Sequence, residues 1–347
     1  MSSRASLNET GLVLGIESSC DDTAAAVVER GGRILSSVVD SQAAIHAEWG
    51  GVVPEIASRS HLDSIGPVVR KALDEAGIGL DDLAGIAVTN RPGLIGSLLV
   101  GLSYAKALAF ARDLPIVGVH HIEAHIYAAT MELVEPLPTP CIALVVSGGH
   151  TALYEMQGPR EMKPIAQTLD DAAGEAFDKV AHLLGLEYPG GPSVSALAKE
   201  GDPKAIRFPR YRAKDKKPGF SFSGLKTSVL YHIRGGDALA PTPAPDDIPN
   251  RADIAASFQQ AAVDNLVKPT LQACHERGAR SILVGGGVAA NRSLRETMTS
   301  EGAKRGIQVV FPSPAYCTDN AVMIAGLGWH ALNEGAWADG NLDASPR

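Results

Sequence analysis

The sequence predicts an α/β protein in which one plan is used twice. Short strand-like runs alternate with helix-like segments along most of the chain, which is an α/β layout. GIESSCDDTAAAVV near the start and CIALVVSGGHTALYEM further on are each a strand, a polar turn and a strand, so the pattern begins again part-way along. A length of 347 residues suffices for two domains of ordinary size, each burying its own core.

In chain order, GLVLGIESS, TAAAVVER and RILSSVVDS are separated by CDD and GG turns, so residues 12–41 read as an antiparallel meander. A helix follows from about Pro54 to Ala76. Strand GIAVT, helix SLLVGLSYAKALAFAR, strand PIVGVH and a helix from Glu123 then alternate. The apolar run Leu94 to Ala111 is near the length of a membrane span, but Gly96, Ser97, Gly101, Ser103 and Lys106 interrupt it. It is expected to be a buried crossover helix, with no membrane partner.

In the second copy MKPIAQTL supplies the third strand, followed by helices GEAFDKVAHLLGL and ADIAASFQQAAVDNLVKPTLQACHERG. Strand SILVGG, helix RSLRETMTSEGAKRG and strand IQVVFP complete it. Residues 237–250 hold Pro241, Pro243, Pro245 and Pro249, a density that excludes helix or sheet and predicts an exposed loop.

Composition, 45% hydrophobic and 20% charged, is that of a soluble globular protein. No secretory signal is visible in MSSRASLNET, so the expected location is cytoplasmic. Four cysteines without CxxC spacing argue against a zinc ribbon or a disulfide framework and are expected to be reduced. A formal charge of −8 creates no global attraction for nucleic acid. Locally, KAIRFPRYRAKDKK (204–217) holds seven Lys/Arg against one Asp, with Phe208 and Tyr211 interleaved. Such a run is either a solvated loop or a surface that holds phosphates and stacks bases.

Several polar clusters carry chemistry. In HHIEAHIYA, His121 and His125 share a helix face with Cβ atoms roughly 5–6 Å apart, where they either hold one divalent ion or are satisfied core histidines. Glu123 lies about 200° round the helix from His121, so the protease arrangement HExxH lacks its base. In VVSGGHT, residues 145–151, main-chain N–H groups can converge on an anion, although Gly-Gly also makes plain hairpin turns. ESSCDDT is the equivalent turn of the first copy, with Asp21 and Asp22 able to hold a metal-bound phosphate or orient a nucleophile, or simply to make the turn. GGGVAAN, residues 285–291, fits GxGxxG/A, but IQVVFP ends without the acid that binds a ribose, which excludes NAD and leaves a nucleotide-binding turn with Asn291 facing base or sugar. The acids of DDAAGEAFDKV suit a helix start, except that Asp178 lies about two turns in; CTDNA reads as an N-cap.

Together GIESSCDDTAAAVV, GGVVPEIASRSH, HHIEAH, VVSGGHT, DDAAGEAFDKVAHLLGLEYPGGP, FSFSGLKT, GGGVAANRSLR and CTDNAVMIA resemble the TsaD family (also YgjD or Gcp), the tRNA N6-adenosine threonylcarbamoyltransferases. The matches run in order from about Gly11 to Ala325. The resemblance implies two actin/Hsp70/sugar-kinase-like (RNase H-like) domains with a nucleotide cleft between them. The first would span 11–130, completed by the C-terminal helix region 311–347, and the second 131–310. It also implies transfer of a threonylcarbamoyl group from threonylcarbamoyl-adenylate to N6 of adenosine 37 in tRNAs reading codons that begin with A, with release of AMP. By matching position, the metal ligands would be His121, His125 and Asp319. The adenylate site would include Val145, Val146, Ser147, Gly148, Gly149, Asp178, Gly191 and Asn291. The ion would be Fe²⁺, with Zn²⁺ or Mg²⁺ as alternatives, and the partners a TsaB-like paralogue and a TsaE-like ATPase. TNRPGL departs from the family's TxGPGL, placing Arg91 where glycine is usual.

An activated donor needs no enzyme nucleophile, which leaves positioning and charge stabilisation to the protein. Asp21 is the candidate for orienting or deprotonating the amine, and the 204–217 run for contacting tRNA. A kinase or ATPase using Asp21 or Asp22 with Mg²⁺, and a metallopeptidase, are the competing classes; a non-catalytic scaffold is a third. His120 is left without a role.

Overall fold

The computed structural model describes residues 10–133, 137–158, 160–213, 217–237, 240–338 and 341–347. They divide into two compact units, Met1–Val134 with Thr318–Arg347, and Glu135–Cys317.

In the first unit, β1 (Leu12–Glu17) and β2 (Asp22–Glu29) form a hairpin, and β3 (Arg33–Ser41) extends it antiparallel. The short α1 (Ala43–Ala47) and the long α2 (Pro54–Ala76) follow. Next, β4 (Gly85–Arg91), α3 (Ile95–Arg112) and β5 (Ile116–His120) make a crossover, after which α4 (His121–Ala128) begins at once. The sheet order is β3-β2-β1-β4-β5, with β1, β4 and β5 parallel. All six residues of β1 are buried, the signature of a strand covered on both faces.

In the second unit, β6 (Cys141–Val146), β7 (Thr151–Gly158) and β8 (Glu161–Gln167) repeat the meander. They are followed by α5 (Ala173–Leu183), α6 (Gly190–Leu197), α7 (Ser223–Ile233) and α8 (Arg251–Arg277). β9 (Ser281–Gly285), α9 (Arg292–Ala303) and β10 (Gln308–Val310) close a sheet of order β8-β7-β6-β9-β10. Strand for strand this is the order of the first sheet, so the expected α/β plan in two copies is present. Its core is aromatic: Phe177, Phe220, Phe222 and Phe258 are fully buried. Among the described residues of the proline-rich stretch the regular structure is one 3₁₀ turn, Pro245–Asp247, which begins at a proline where no N–H is needed.

The chain then returns to the first unit. α10 (Ala321–Asn333) packs along β1, β2, β4 and β5. Close approach depends on small residues: a Cβ at Gly15 would lie 2.3 Å from the Ala321 carbonyl oxygen. That approach fixes the start of α10, and with it Asp319 and Asn320.

Two expectations need correcting. α3 is long and apolar enough to cross a membrane by length and composition, yet it is the β4–β5 crossover, and only one face of it is buried. Leu98, Leu102, Ala105 and Ala109 face the core, whereas Ile95, Leu99 and Phe110 are exposed, Phe110 at 93%. The basic run is no base-stacking surface as a whole, because Phe208 belongs to the core of the second unit. Arg210 is held by Asp264 at 3.0 Å and by the Phe208 carbonyl at 2.6 Å. Lys204, Arg207, Arg212 and Lys217 are exposed; Lys214 lies outside the described residues. The four cysteines are free thiols.

Candidate metal centre and glycine-rich turn

The first unit gathers its polar groups at the carboxyl ends of β1, β4 and β5, where parallel strands in α/β sheets present ligand-binding residues. His121 opens α4 directly after β5, and His125 follows one turn later, so the helical spacing brings the rings together. Their centroids are 4.5 Å apart in an edge-on arrangement, and both residues are buried. Asp319 supplies the third group. Its Oδ1 lies 3.1 Å from His125 Nε2 and 3.6 Å from His121 Nε2. One donor atom from each of the three residues falls within 4.8 Å of the others.

Asp319 is available because its neighbour does the capping. Asn320 is the N-cap of α10, accepting from Met323 N at 3.0 Å. The sequence reading of CTDNA as an N-cap does not say which residue caps.

Glu17, which the sequence reading did not single out, holds the centre from behind. It ends the fully buried β1 and is itself 0% exposed. Its carboxylate accepts from Ser19 N at 2.5 Å, from the Thr89 hydroxyl at 2.6 Å and from His121 Nδ1 at 3.0 Å. A carboxylate cannot donate, so Nδ1 carries the ring proton and the Nε2 lone pair faces Asp319. Burial alone would raise the Glu17 pKa, but the charge and hydrogen bond of His121 outweigh it and hold the group below its ordinary value. On His121 burial acts downward, and Glu17 and Asp319 together override it, raising the ring to about 9. A lone pair and a carboxylate facing one another call for a cation between them, whether proton or metal. These N, N and O donors fit a divalent ion, with Glu17 in the supporting position that metal-bound histidines characteristically have. His125 Nδ1 is buried with no partner among the described residues, a cost of about 1–3 kcal/mol that a bond at Nε2 would offset.

The turn between β1 and β2 stands beside this centre. The Ser19 hydroxyl lies 3.1 Å from His121 Nδ1. Burial raises Asp22 to about 7; the Ser41 bond opposes this, and the charges of Asp319, Asp21 and Glu17 add to it. One Asp22 oxygen, Oδ1, is buried without a hydrogen-bond partner among the described residues. Burial, with Asp21 next in weight, also pushes the Cys20 thiol far up, so it is no ready nucleophile. Arg91 is exposed at the end of β4, in register with His120, and His120 occupies the cap position of α4 without a side-chain cap bond.

In the second unit the expected residues also meet. Val145 and Val146 are buried strand residues, so their contribution is main chain. In the turn that follows, His150 N donates to the Ser147 hydroxyl at 3.1 Å. Gly148 and Gly149 are exposed, neither has positive φ, and a Cβ on either would meet nothing within 4 Å. The chain's own packing does not demand glycine there. The turn of GGGVAAN lies against this strand, since a Cβ at Gly286 would come within 2.5 Å of the Val146 carbonyl oxygen. Asp178 accepts from Gly190 N at 2.8 Å, beside Gly191 at the start of α6. Ser195 donates to the Gly191 carbonyl and receives Asn291 Nδ2 at 3.1 Å. Asn291 is more committed than expected: its Oδ1 caps α9 through Leu294 N, and its Nδ2 also reaches Gln259 at 3.0 Å. Asp170, expected to favour the start of its own helix, accepts instead from Phe222 N and Ser223 N at the start of α7.

Comparisons with known proteins bear on the family and the fold. The model of the family described as TsaD, tRNA N6-adenosine threonylcarbamoyltransferase, matches residues 33–326. A protein of that name from Geobacter sp. (strain M21) is 53% identical over 335 residues, covering 96% of this chain and 95% of the relative. Another, from Symbiobacterium thermophilum, is 52% identical over 337 residues, covering 97% and 96%. Among solved structures, HypF from T. kodakarensis superposes with a TM-score of 0.62 at 16% identity, over 95% of this chain and 48% of that one. Component A of (R)-2-hydroxyglutaryl-CoA dehydratase from Acidaminococcus fermentans gives 0.54 at 12%, over 92% and 98%. At such identities the structures speak for the fold alone, which is the actin/Hsp70/sugar-kinase-like ATPase fold.

Proposed function

The chain belongs to the TsaD family of tRNA N6-adenosine threonylcarbamoyltransferases, and from that membership we propose the full reaction. The donor is threonylcarbamoyl-adenylate and the acceptor is N6 of adenosine 37 in tRNAs reading codons that begin with A. The N6 lone pair attacks the carbamoyl carbon, the bond to the phosphate oxygen breaks, and AMP leaves with that electron pair. The N6 proton passes to a base.

The observation that carries this reading is the centre of His121, His125 and Asp319, backed by Glu17, in a chain related to the family over nearly its whole length. His121, His125 and Asp319 would hold a divalent ion, Fe²⁺ in first place and Zn²⁺ or Mg²⁺ as alternatives, since two imidazoles and one carboxylate suit the softer ions better. When bound, such an ion supplies positive charge for the oxygens of an anionic donor. Asp21 orients or deprotonates the incoming amine. Main-chain groups of Val145, Val146, Ser147, Gly148 and Gly149 contact the adenylate, and Asp178, Gly191 and Asn291 shape the neighbouring surface. The open space at Gly148 and Gly149 supports this, because a glycine pair that the fold does not demand leaves room for close ligand approach. A TsaB-like paralogue and a TsaE-like ATPase are the proposed partners, and the cytoplasm, where tRNA is modified, the proposed location.

The test is mass spectrometry of nucleosides from tRNA incubated with threonylcarbamoyl-adenylate, this protein and its partners. Threonylcarbamoyladenosine and AMP are expected in equal amounts. No modified nucleoside, under conditions where a relative makes it, overturns the proposal.

A further inference from the structure

Three successive carbonyls of the Ser19–Asp21 turn are clasped from three different elements. Ser19 O accepts from Leu94 N at 2.8 Å, Cys20 O from His61 Nε2 at 3.0 Å, and Asp21 O from Gln42 N at 3.1 Å. Two of these donors are main-chain groups, which substitution does not remove. The middle one is the side chain of His61, fully buried on the inner face of α2.

The hydrogen positions on this ring are fixed by its partners. A carbonyl only accepts, so Nε2 carries the proton. Nδ1 is then the acceptor for the Thr23 hydroxyl, 2.7 Å away. Burial favours this uncharged form, holding the ring below its ordinary pKa. Thr23 belongs to β2 and pairs with Asp40 in the ladder to β3, whereas Cys20 lies in the turn between Ser19, which touches His121, and Asp21. The ring thus ties the turn to the strand that follows it.

We propose that His61 is the positioning residue of the reaction, setting through the Cys20 carbonyl where Asp21 stands. This rests on the function proposed above. It makes a prediction that separates the two ring nitrogens. His61→Asn can keep an oxygen near the Nδ1 position for Thr23 and loses the donor to Cys20. His61→Gln can keep an N–H near the Nε2 position for Cys20 and loses the acceptor for Thr23. Each variant forfeits one buried bond, so a merely structural role lowers both alike.

The experiment measures kcat and KM for tRNA and for threonylcarbamoyl-adenylate in both variants, with bound metal and melting temperature as controls. In His61→Asn, kcat is expected to fall roughly 10- to 100-fold with KM nearly unchanged, the size of effect a displaced catalytic group produces. His61→Gln is expected to restore most of the rate. Equal losses in the two variants, full activity in His61→Asn, or a change confined to KM would each overturn the proposal. If the wild-type chain makes no product, the functional reading fails by itself. Amide hydrogen exchange across residues 17–23 then judges the clamp: faster exchange in His61→Asn alone supports it, and identical exchange in both variants removes it.

Discussion

Glu17 sits where a sequence reading has least purchase. A glutamate at the end of LVLGIE interrupts no periodicity and matches no ligand spacing, yet burial of a carboxylate demands partners, and here they are His121, Ser19 and Thr89. Glu17→Gln keeps the shape and removes the charge. It should weaken metal binding roughly 10- to 100-fold, read by competition with a chromophoric chelator, while the far-ultraviolet circular dichroism stays the same. His125→Ala should go further, from about one ion per chain to almost none by elemental analysis. Asp22 offers a separate test, on stability. Its folded pKa of about 7 lies above the ordinary 3.8, so the stability linked to its proton is complete below that lower value and is lost as pH rises through about 7. Without divalent ions, Asp22→Asn should therefore be more stable than wild type at pH 8, by on the order of 1 kcal/mol or more, and no more stable than wild type at pH 4. An equal gain at both pH values would remove the titration account. The histidine pair was legible because helical spacing alone brings residues four apart together. Glu17 and His61 were not, since their partners are 104 and 38–41 positions away.

At the scale of elements, α10 and the 204–217 segment show how neighbours decide between two readings of one motif. In CTDNA both acid and amide can cap, and the cap goes to Asn320, leaving Asp319 for the histidines. Asn320→Ala should cost about 1 kcal/mol by thermal or denaturant unfolding, and Asn320→Asp much less. In the basic run, charge and aromatic content suggested one surface, but the residues divide by burial. Arg212→Glu is expected to weaken tRNA binding and spare adenylate binding, whereas Phe208→Ala should act on folding, at about 3–5 kcal/mol. Loss of tRNA affinity in a folded Phe208→Ala protein, with none in Arg212→Glu, would reverse this assignment. Strand and helix order was readable because apolar runs and glycine turns punctuate it. The destination of Asp170, 52 residues away at the start of α7, was not, because N-cap statistics describe only local partners.

For the molecule as a whole, the repeated sheet order was visible in the sequence as two hairpins with polar tips. What remained hidden was which helix covers which sheet, since packing partners are set by shape and small-residue contacts rather than by order along the chain. A net charge of −8 adds a constraint on RNA affinity. Among the described residues of the 204–217 run the exposed cations are Lys204, Arg207, Arg212 and Lys217, so replacing all four with alanine should make the slope of the logarithm of the tRNA binding constant against the logarithm of salt shallower by about 4 for the chain without partners. An unchanged slope would point to another phosphate-binding surface. The return of α10 to the first sheet also has a consequence during synthesis. A ribosome releases Glu17, His61, His121 and His125 long before Asp319 and the Asn320 cap, so the amino-terminal unit waits, with one face of its sheet uncovered, through translation of the entire second unit. The candidate centre is thus a checkpoint on complete translation: a chain stalled before residue 319 lacks both the third ligand and the helix that seats it.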